Sequence, residues 1–147
     1  MKALLQRVTQ ASVAVDNAEI ASISKGCLAL VGVEPHDGPE HASRLAERMV
    51  TYRMFADDSG RMNRSLVDIG GGLLLVSQFT LVADTRKGTR PGFSTAATPN
   101  VAEPLFEALV KQAQHRLGNV QVGRFGADMQ VSLVNDGPVT FWLSVPG

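Results

Sequence analysis

Few side chains here have the types and spacing that acid–base, nucleophilic or metal chemistry requires. The three histidines, His36, His41 and His115, fall in an expected loop and two expected helices. None stands at close ligand spacing from another His, Cys or acid, and each is read as a surface residue. Asp57-Asp58 precede Ser59-Gly60, which is turn chemistry before it is a carboxylate pair. Gly70-Gly71-Gly72 lack the Lys-Ser/Thr of a phosphate loop and lead into a strand rather than a helix. The single cysteine, Cys27, lies in an apolar run and reads as a small buried hydrophobe. It excludes an internal disulfide and a Cys-rich zinc site. No metal and no cofactor are expected.

Two segments resist dismissal. In Ser77-Gln78-Phe79-Thr80-Leu81, polar and apolar residues alternate at the far end of an apolar strand. Continued as a strand, it would turn Ser77, Phe79 and Leu81 one way and Gln78 and Thr80 the other. The plain alternative is a polar strand end emerging into solvent. Thr80 is the best nucleophile in the chain, but a Thr hydroxyl needs an activating base and none is near in sequence. The second segment is Asn135-Asp136-Gly137-Pro138-Val139-Thr140. Gly-Pro between two strands is first of all a tight turn, although a cis bond there would signal a specific geometric purpose.

The elements that must position these segments follow from pattern. Lys2–Thr9 and Ala11–Val15 read as strand, Asp16-Asn17 as a turn, and Glu19–Ile23 as the return strand of a hairpin. Gly26–Val33 is continuously apolar, as a central strand buried on both faces would be. Pro39 opens a helix with Asp37 or Gly38 as cap, and Ala42, Leu45, Ala46, Met49 and Val50 recur at helical spacing. Leu73 to Leu81 reads as a second core strand. A second helix begins near Thr98-Pro99, turns Leu105, Leu109 and Ala113 inward and stops at Gly118, with Pro104 tolerable only in a first turn. Gln121–Phe125, Met129–Val134 and Val139–Val145 read as three closing strands. The expectation is one α+β domain over 1–147, rich in strand, with two main helices.

Composition narrows the function. The 147 residues are 44% hydrophobic and 19% charged, with fourteen basic residues against fourteen acidic. Zero net charge argues against coating long stretches of nucleic acid, and no DNA partner is expected, yet one short RNA end remains within reach. No apolar run approaches the roughly 20 residues of a membrane span, and the N-terminal stretch is too short for a secretory signal. A cytoplasmic protein is expected, without a membrane partner.

At the two unexplained segments the chain resembles a known family. Ser77-Gln78-Phe79-Thr80 together with Asn135-Asp136-Gly137-Pro138-Val139-Thr140 is similar to the signature pair of the D-aminoacyl-tRNA deacylases. Leu5-Gln6-Arg7-Val8, the loop Lys87-Gly88-Thr89-Arg90-Pro91-Gly92-Phe93 and the overall length match the same pattern. The resemblance implies hydrolysis of the ester joining a D-amino acid to the 3′-terminal adenosine of tRNA, with glycine mischarged on tRNA(Ala) also accepted. It further implies a two-fold homodimer in which a cis Gly137-Pro138 pair reaches into the partner's active site. Its carbonyls would face the substrate's α-carbon and amino group and reject L-aminoacyl-tRNA, while Ser77, Gln78, Phe79 and Thr80 surround the ester.

On that basis an activated ester needs only an oriented water and backbone N–H groups for the oxyanion. Thr80 is then given a positioning role. Phe79 and Met129 are candidates for an adenine pocket, and Asn135, Val139 and Thr140 for further substrate contact. Lys87 and Arg90 are candidates for phosphate contact. Arg7, a charge in an apolar strand, should be paired or bonded to carbonyls, and a structural role bracing the Gly-Pro loop is favoured over contact with substrate. Two competing readings stay open: a Thr-dependent hydrolase of small esters or amides, and a non-catalytic module that binds RNA ends.

Overall fold

The computed structural model describes residues 1–146. In chain order the elements are β1 (Lys2–Val15), β2 (Ala18–Ile23), β3 (Gly26–Gly32), α1 (Pro39–Thr51), β4 (Phe55–Ala56), β5 (Met62–Arg64), α2 (Leu66–Ile69), β6 (Gly72–Ser77), a 3₁₀ turn (Phe79–Val82), α3 (Pro99–Arg116), β7 (Val120–Val122) and β8 (Gln130–Ser144). The fold is α+β, with α1 and α3 as the main helices and α2 as a short third.

The long first strand organises the sheet. Residues 2–8 of β1 carry β3 on one edge, residues 11–15 carry β2 where β3 leaves off, and β8 runs along the opposite edge. Asp16 and Asn17 close the β1–β2 hairpin with φ of 51° and 66°, the left-handed pair such a turn requires and which these residues tolerate. β6 lies parallel beside β3, and β7 parallel beside β6.

The break read at Gln10 is a bulge within one continuous strand. Val8 pairs with Asn135 and Gln10 with Val134, so Thr9 is the extra residue. One inserted residue exchanges the two faces of a strand. Ala3 and Leu5 therefore point into the helical layer, whereas Ala11 and Val13 join Val8, Leu28 and Leu74 on the other side.

α1 buries Ala42, Leu45, Ala46, Met49 and Val50, the stripe that its spacing marks. The Gly38 N–H at its start donates to His41 Nδ1 at 2.8 Å. His41, with its side chain only 12% exposed, is thus a helix-capping group rather than a plain surface residue. α3 turns Leu105, Leu109 and Ala113 inward, joined by Ala102 and Phe106. Pro104 lies beyond its first turn, contrary to expectation. The Asn100 carbonyl it leaves without an intrahelical donor is on the exposed side, where water can serve it.

The closing region also departs from expectation. β7 is confined to Val120–Val122, and the two segments read as separate last strands are halves of a single β8. Gly137-Pro138 is not a hairpin turn. Gln6 pairs with Thr140 and Val8 with Asn135, so the intervening residues bow out of a strand that continues on both sides.

On the face away from the helices, Trp142, Leu4, Leu30 and Val76 are successive cross-strand partners. Val76 is buried, Leu4 and Leu30 are half-buried, and Trp142 is 50% exposed. Cys27 lies in the core, where desolvation pushes its thiol up to about 12 and leaves it inert.

The parallel β3–β6 contact depends on glycine. A Cβ at Gly26 would collide with the Gly72 carbonyl, which belongs to main chain and cannot swing aside. Gly26→Ala is expected to cost about 3 kcal/mol, the upper end of the overpacking range, read as a lowered urea midpoint with an unchanged slope.

Candidate active site

A cavity of about 600 Å³ opens at the carboxyl ends of β3 and β6, where parallel strands present ligand sites. Val31, Val33 and Val76 form its floor, Ala97–Pro99 at the start of α3 one wall, and Phe125–Met129 another. Ser77, Gln78 and Phe79 line its rim.

The chain changes direction at that rim. The Gln78 N–H donates to the Val31 carbonyl at 2.7 Å, extending the ladder one step. Phe79–Val82 then coil into a 3₁₀ turn instead of continuing as strand, so the alternation expected through Leu81 does not occur. Three consequences follow. The amides of Phe79 and Thr80 head the turn and have no main-chain acceptor among the described residues. Phe79 stands 58% exposed, with its ring 5.2 Å from that of Phe93 and tilted by 57°. Gln78 Nε2 donates to Thr80 Oγ1 at 2.6 Å, and no acid, histidine or amine meets that hydroxyl among the described residues.

Met129 lines the cavity and also packs against the smaller core cluster.

The second signature segment forms a braced loop. Asn135 Oδ1 accepts from the Val139 N–H at 2.7 Å, and Asn135 Nδ2 donates to Thr140 Oγ1 at 3.0 Å. Asn135, Val139 and Thr140 therefore clamp the loop to itself. Arg7 Nε donates to the Asp136 carbonyl at 2.9 Å, and Nη1 to the Met54 carbonyl at 3.0 Å. The guanidinium links the loop to the segment after α1, its charge met by these carbonyls and by the Asp136 carboxylate at 3.8 Å. The Gly137–Pro138 peptide is cis, Gly137 has φ of 142°, and both residues are exposed.

The structure joins Ser77, Gln78, Phe79 and Met129 around the cavity and gathers Asn135 to Thr140 around Arg7. Gly137 and Pro138 do not line the cavity of their own chain.

The sequence reading missed several cavity residues, among them Phe106, Phe125 and Asp128. Phe93 was noted only as part of a loop; a phenylalanine following Arg90-Pro91-Gly92 was the available signal. That loop is pinned by reciprocal bonds between Asp84 and Gly92. Arg86 holds Asp84 with two guanidinium hydrogen bonds and a third from its main-chain amide, lowering its carboxyl to about 2. Lys87 and Arg90 are left as exposed cations that form no ion pair among the described residues.

Asp57 proves to be turn chemistry. Hydrogen bonds from Asn63, Ser59 and the Arg61 amide hold its carboxyl well below the usual range.

The cavity thus lies beside two main-chain amides that have no main-chain acceptor, and no nucleophile–base pair lines it among the described residues. The comparisons place the chain further. A family model described as "D-Tyr-tRNA(Tyr) deacylase" matches residues 4–144, and the chain belongs to this family of D-aminoacyl-tRNA deacylases. A D-aminoacyl-tRNA deacylase from Xanthomonas euvesicatoria pv. vesicatoria (strain 85-10) is 62% identical over 145 residues, 97% of this chain and 99% of the relative. A solved structure described as "c-Myc DNA Unwinding Element Binding Protein" superposes with a TM-score of 0.95 at 37% identity, covering 100% of both chains. Another, described as "a probable eukaryotic D-amino acid tRNA deacylase", shares the fold with a TM-score of 0.86 at 14% identity, covering 98% of each.

Proposed function

We propose that this chain hydrolyses the ester between a D-amino acid and the 3′-terminal adenosine of tRNA, with water as nucleophile and main-chain amides as the oxyanion site. The observation that carries this reading is the 3₁₀ turn at the cavity rim, whose first amides stand free beside Phe79. Water attacks the ester carbonyl carbon and the negative charge gathers on the carbonyl oxygen. Donors fixed in advance stabilise that charge at no reorganisation cost. The C–O bond to the ribose then breaks, the ribose oxygen takes the proton released by water, and free D-amino acid and tRNA leave. The adjacent 2′-OH orients the water, which accounts for the missing acid–base pair. Phe79 and Met129 supply apolar surface for the adenine, in keeping with the way single-stranded RNA ends are read by stacking.

The stereochemical filter in this reading comes from a second copy of the chain. Gly137-Pro138 stands outside its own cavity, held outward by Arg7 and Asn135. The row Trp142–Leu4–Leu30 offers apolar surface for a two-fold partner. Carbonyls of the loop, entering the partner's cavity, leave room at the α-carbon for hydrogen but not for an L side chain. Glycine, including glycyl-tRNA(Ala), passes the same filter. The protein acts in the cytoplasm, and the neutral chain needs few phosphate contacts because it reads only the terminus.

The activity is tested with D-tyrosyl-tRNA in the presence of EDTA. Release of D-tyrosine and intact tRNA is expected. Binding without hydrolysis would leave an RNA-end module, and equal turnover of D-tyrosine methyl ester would leave a small-ester hydrolase. For Thr80→Ala, loss of a single positioning hydrogen bond of about 1.5 kcal/mol predicts roughly a tenfold lower kcat. Quenched reactions examined by mass spectrometry are expected to show no tyrosyl adduct on the parent protein; an adduct on Thr80 would restore the nucleophile reading.

A further inference from the structure

We infer that the arginine-lined depression on the outer face of α1 holds the sugar-phosphate backbone of the tRNA acceptor end, an inference that rests on the function proposed above. The depression, of about 590 Å³, lies between α1, the segment after it, Met62 of β5 and Phe141 of β8. It adjoins the Gly137-Pro138 loop. Phe141 lies just beyond that loop in β8, and Arg7 bonds to both the Asp136 carbonyl and the carbonyl of Met54, the residue after the lining Arg53.

Its charge is one-sided. Arg44, Arg48 and Arg53 line it, and Arg116 reaches in from the end of α3. Glu47 is the one acid in the lining. It is shared between Arg44 at 3.4 Å and Arg116 at 3.9 Å. Arg48 donates to the Ser144 carbonyl at 3.0 Å, and Arg53 forms no ion pair among the described residues. Arg44 is 60% exposed. Three lining guanidinium groups and the neighbouring Arg116 face Glu47 and, beside Arg53, Asp68, which leaves a local excess of positive charge on a chain whose net charge is zero. A phosphodiester is the complementary ligand, because guanidinium forks match phosphate oxygens two at a time. The Tyr52 and Phe141 rings, 5.2 Å apart, add the aromatic surface found where ribose and base accompany phosphate.

The position suits the route of the substrate. Through Arg7 the segment after α1 is tied to the Gly137-Pro138 loop, so in the proposed assembly one subunit carries both the loop that walls a partner's cavity and the arginines that hold phosphate.

The double variants Arg44→Ala/Arg53→Ala and Arg44→Glu/Arg53→Glu test this. With D-tyrosyl-tRNA, KM is expected to rise about tenfold in the alanine variant and further in the glutamate variant, with kcat within about twofold of the parent. The slope of log(kcat/KM) against log[salt] is expected to fall by about 1 to 2. D-tyrosyl-adenosine, which carries no phosphate, reports on folding and chemistry in the same proteins. Binding of uncharged tRNA, followed by anisotropy, reads the surface without hydrolysis. Its Kd is expected to rise about tenfold even if the parent protein leaves D-tyrosyl-tRNA intact, so failure of the activity and failure of the surface are separable. Unchanged tRNA binding in the glutamate variant would overturn the inference. So would an equal loss on D-tyrosyl-adenosine, or a loss confined to Lys87→Ala/Arg90→Ala.

Discussion

Gly137→Ala is expected to lower kcat/KM for D-tyrosyl-tRNA by about 10- to 100-fold while moving Tm only slightly. Gly137 has φ of 142°, a conformation that L side chains rarely adopt. A Cβ there would lie 2.7 Å from Val139 Cγ2 and 3.0 Å from the Val139 amide nitrogen. It would also lie 3.3 Å from Arg7 Nη2. Neither Val139, clamped by Asn135, nor Arg7, bound to two carbonyls, has a free direction in which to yield. The loop must shift instead, at a cost of about 1–3 kcal/mol for a strained backbone. In the proposed assembly that shift misplaces the carbonyls beside the substrate's α-carbon, so the penalty falls on the transition state, at about 1.4 kcal/mol for each factor of ten. Global stability falls by no more than that strain, a few degrees in Tm, because the exposed residue gives up no core contact. Full activity in a folded Gly137→Ala protein would show that the loop does not meet the substrate.

Arg7→Ala is expected to damage both stability and selectivity. The side chain makes charge-assisted hydrogen bonds to the carbonyls of Asp136 and Met54 and is only 17% exposed. Such bonds contribute about 1.5–3 kcal/mol each, and removal leaves both carbonyls without that donor. The expected loss is about 3 kcal/mol in urea unfolding, with kcat/KM for D-tyrosyl-tRNA about 100-fold lower. The ratio of D to L hydrolysis should fall as well, because the loop loses its anchor rather than its own atoms. Arg7→Lys, a point charge able to satisfy one carbonyl well but not the fork of two, should lie between. A variant that loses stability yet keeps the D-to-L ratio would make Arg7 a fold residue only.

Much of this architecture is legible in the sequence, and the exceptions share a physical cause. α1 is transparent because Ala42, Leu45, Ala46, Met49 and Val50 repeat at the helical period and Pro39 marks the start. β3 is transparent because burial on both faces leaves an unbroken apolar run. Ser77–Leu81 mislead because alternating polarity is also what a 3₁₀ turn shows when Phe79 is exposed and Val82 buried. Gly137-Pro138 misleads for a related reason, since local turn chemistry carries no information about β8 resuming its pairing with β1 beyond the bulge. The role of Arg7 is half legible: an arginine amid Leu5 and Val8 must find carbonyls, but Met54 is distant in sequence. The cavity is least legible, because Val33, Phe93, Phe106 and Phe125 meet only after β3, β6 and α3 have packed.

The proposed filter discriminates at one carbon. D and L isomers carry the same groups, so selectivity must arise from excluding one of them. The direct measurement is single-turnover hydrolysis of D-tyrosyl-, L-tyrosyl- and glycyl-tRNA by the purified parent protein, compared in one buffer and at one salt concentration. The account predicts D over L by at least about a thousandfold, equivalent to about 4 kcal/mol, with glycyl-tRNA closer to the D substrate than to the L. Hydrolysis of L-tyrosyl-tRNA at a rate comparable to the D substrate would contradict it.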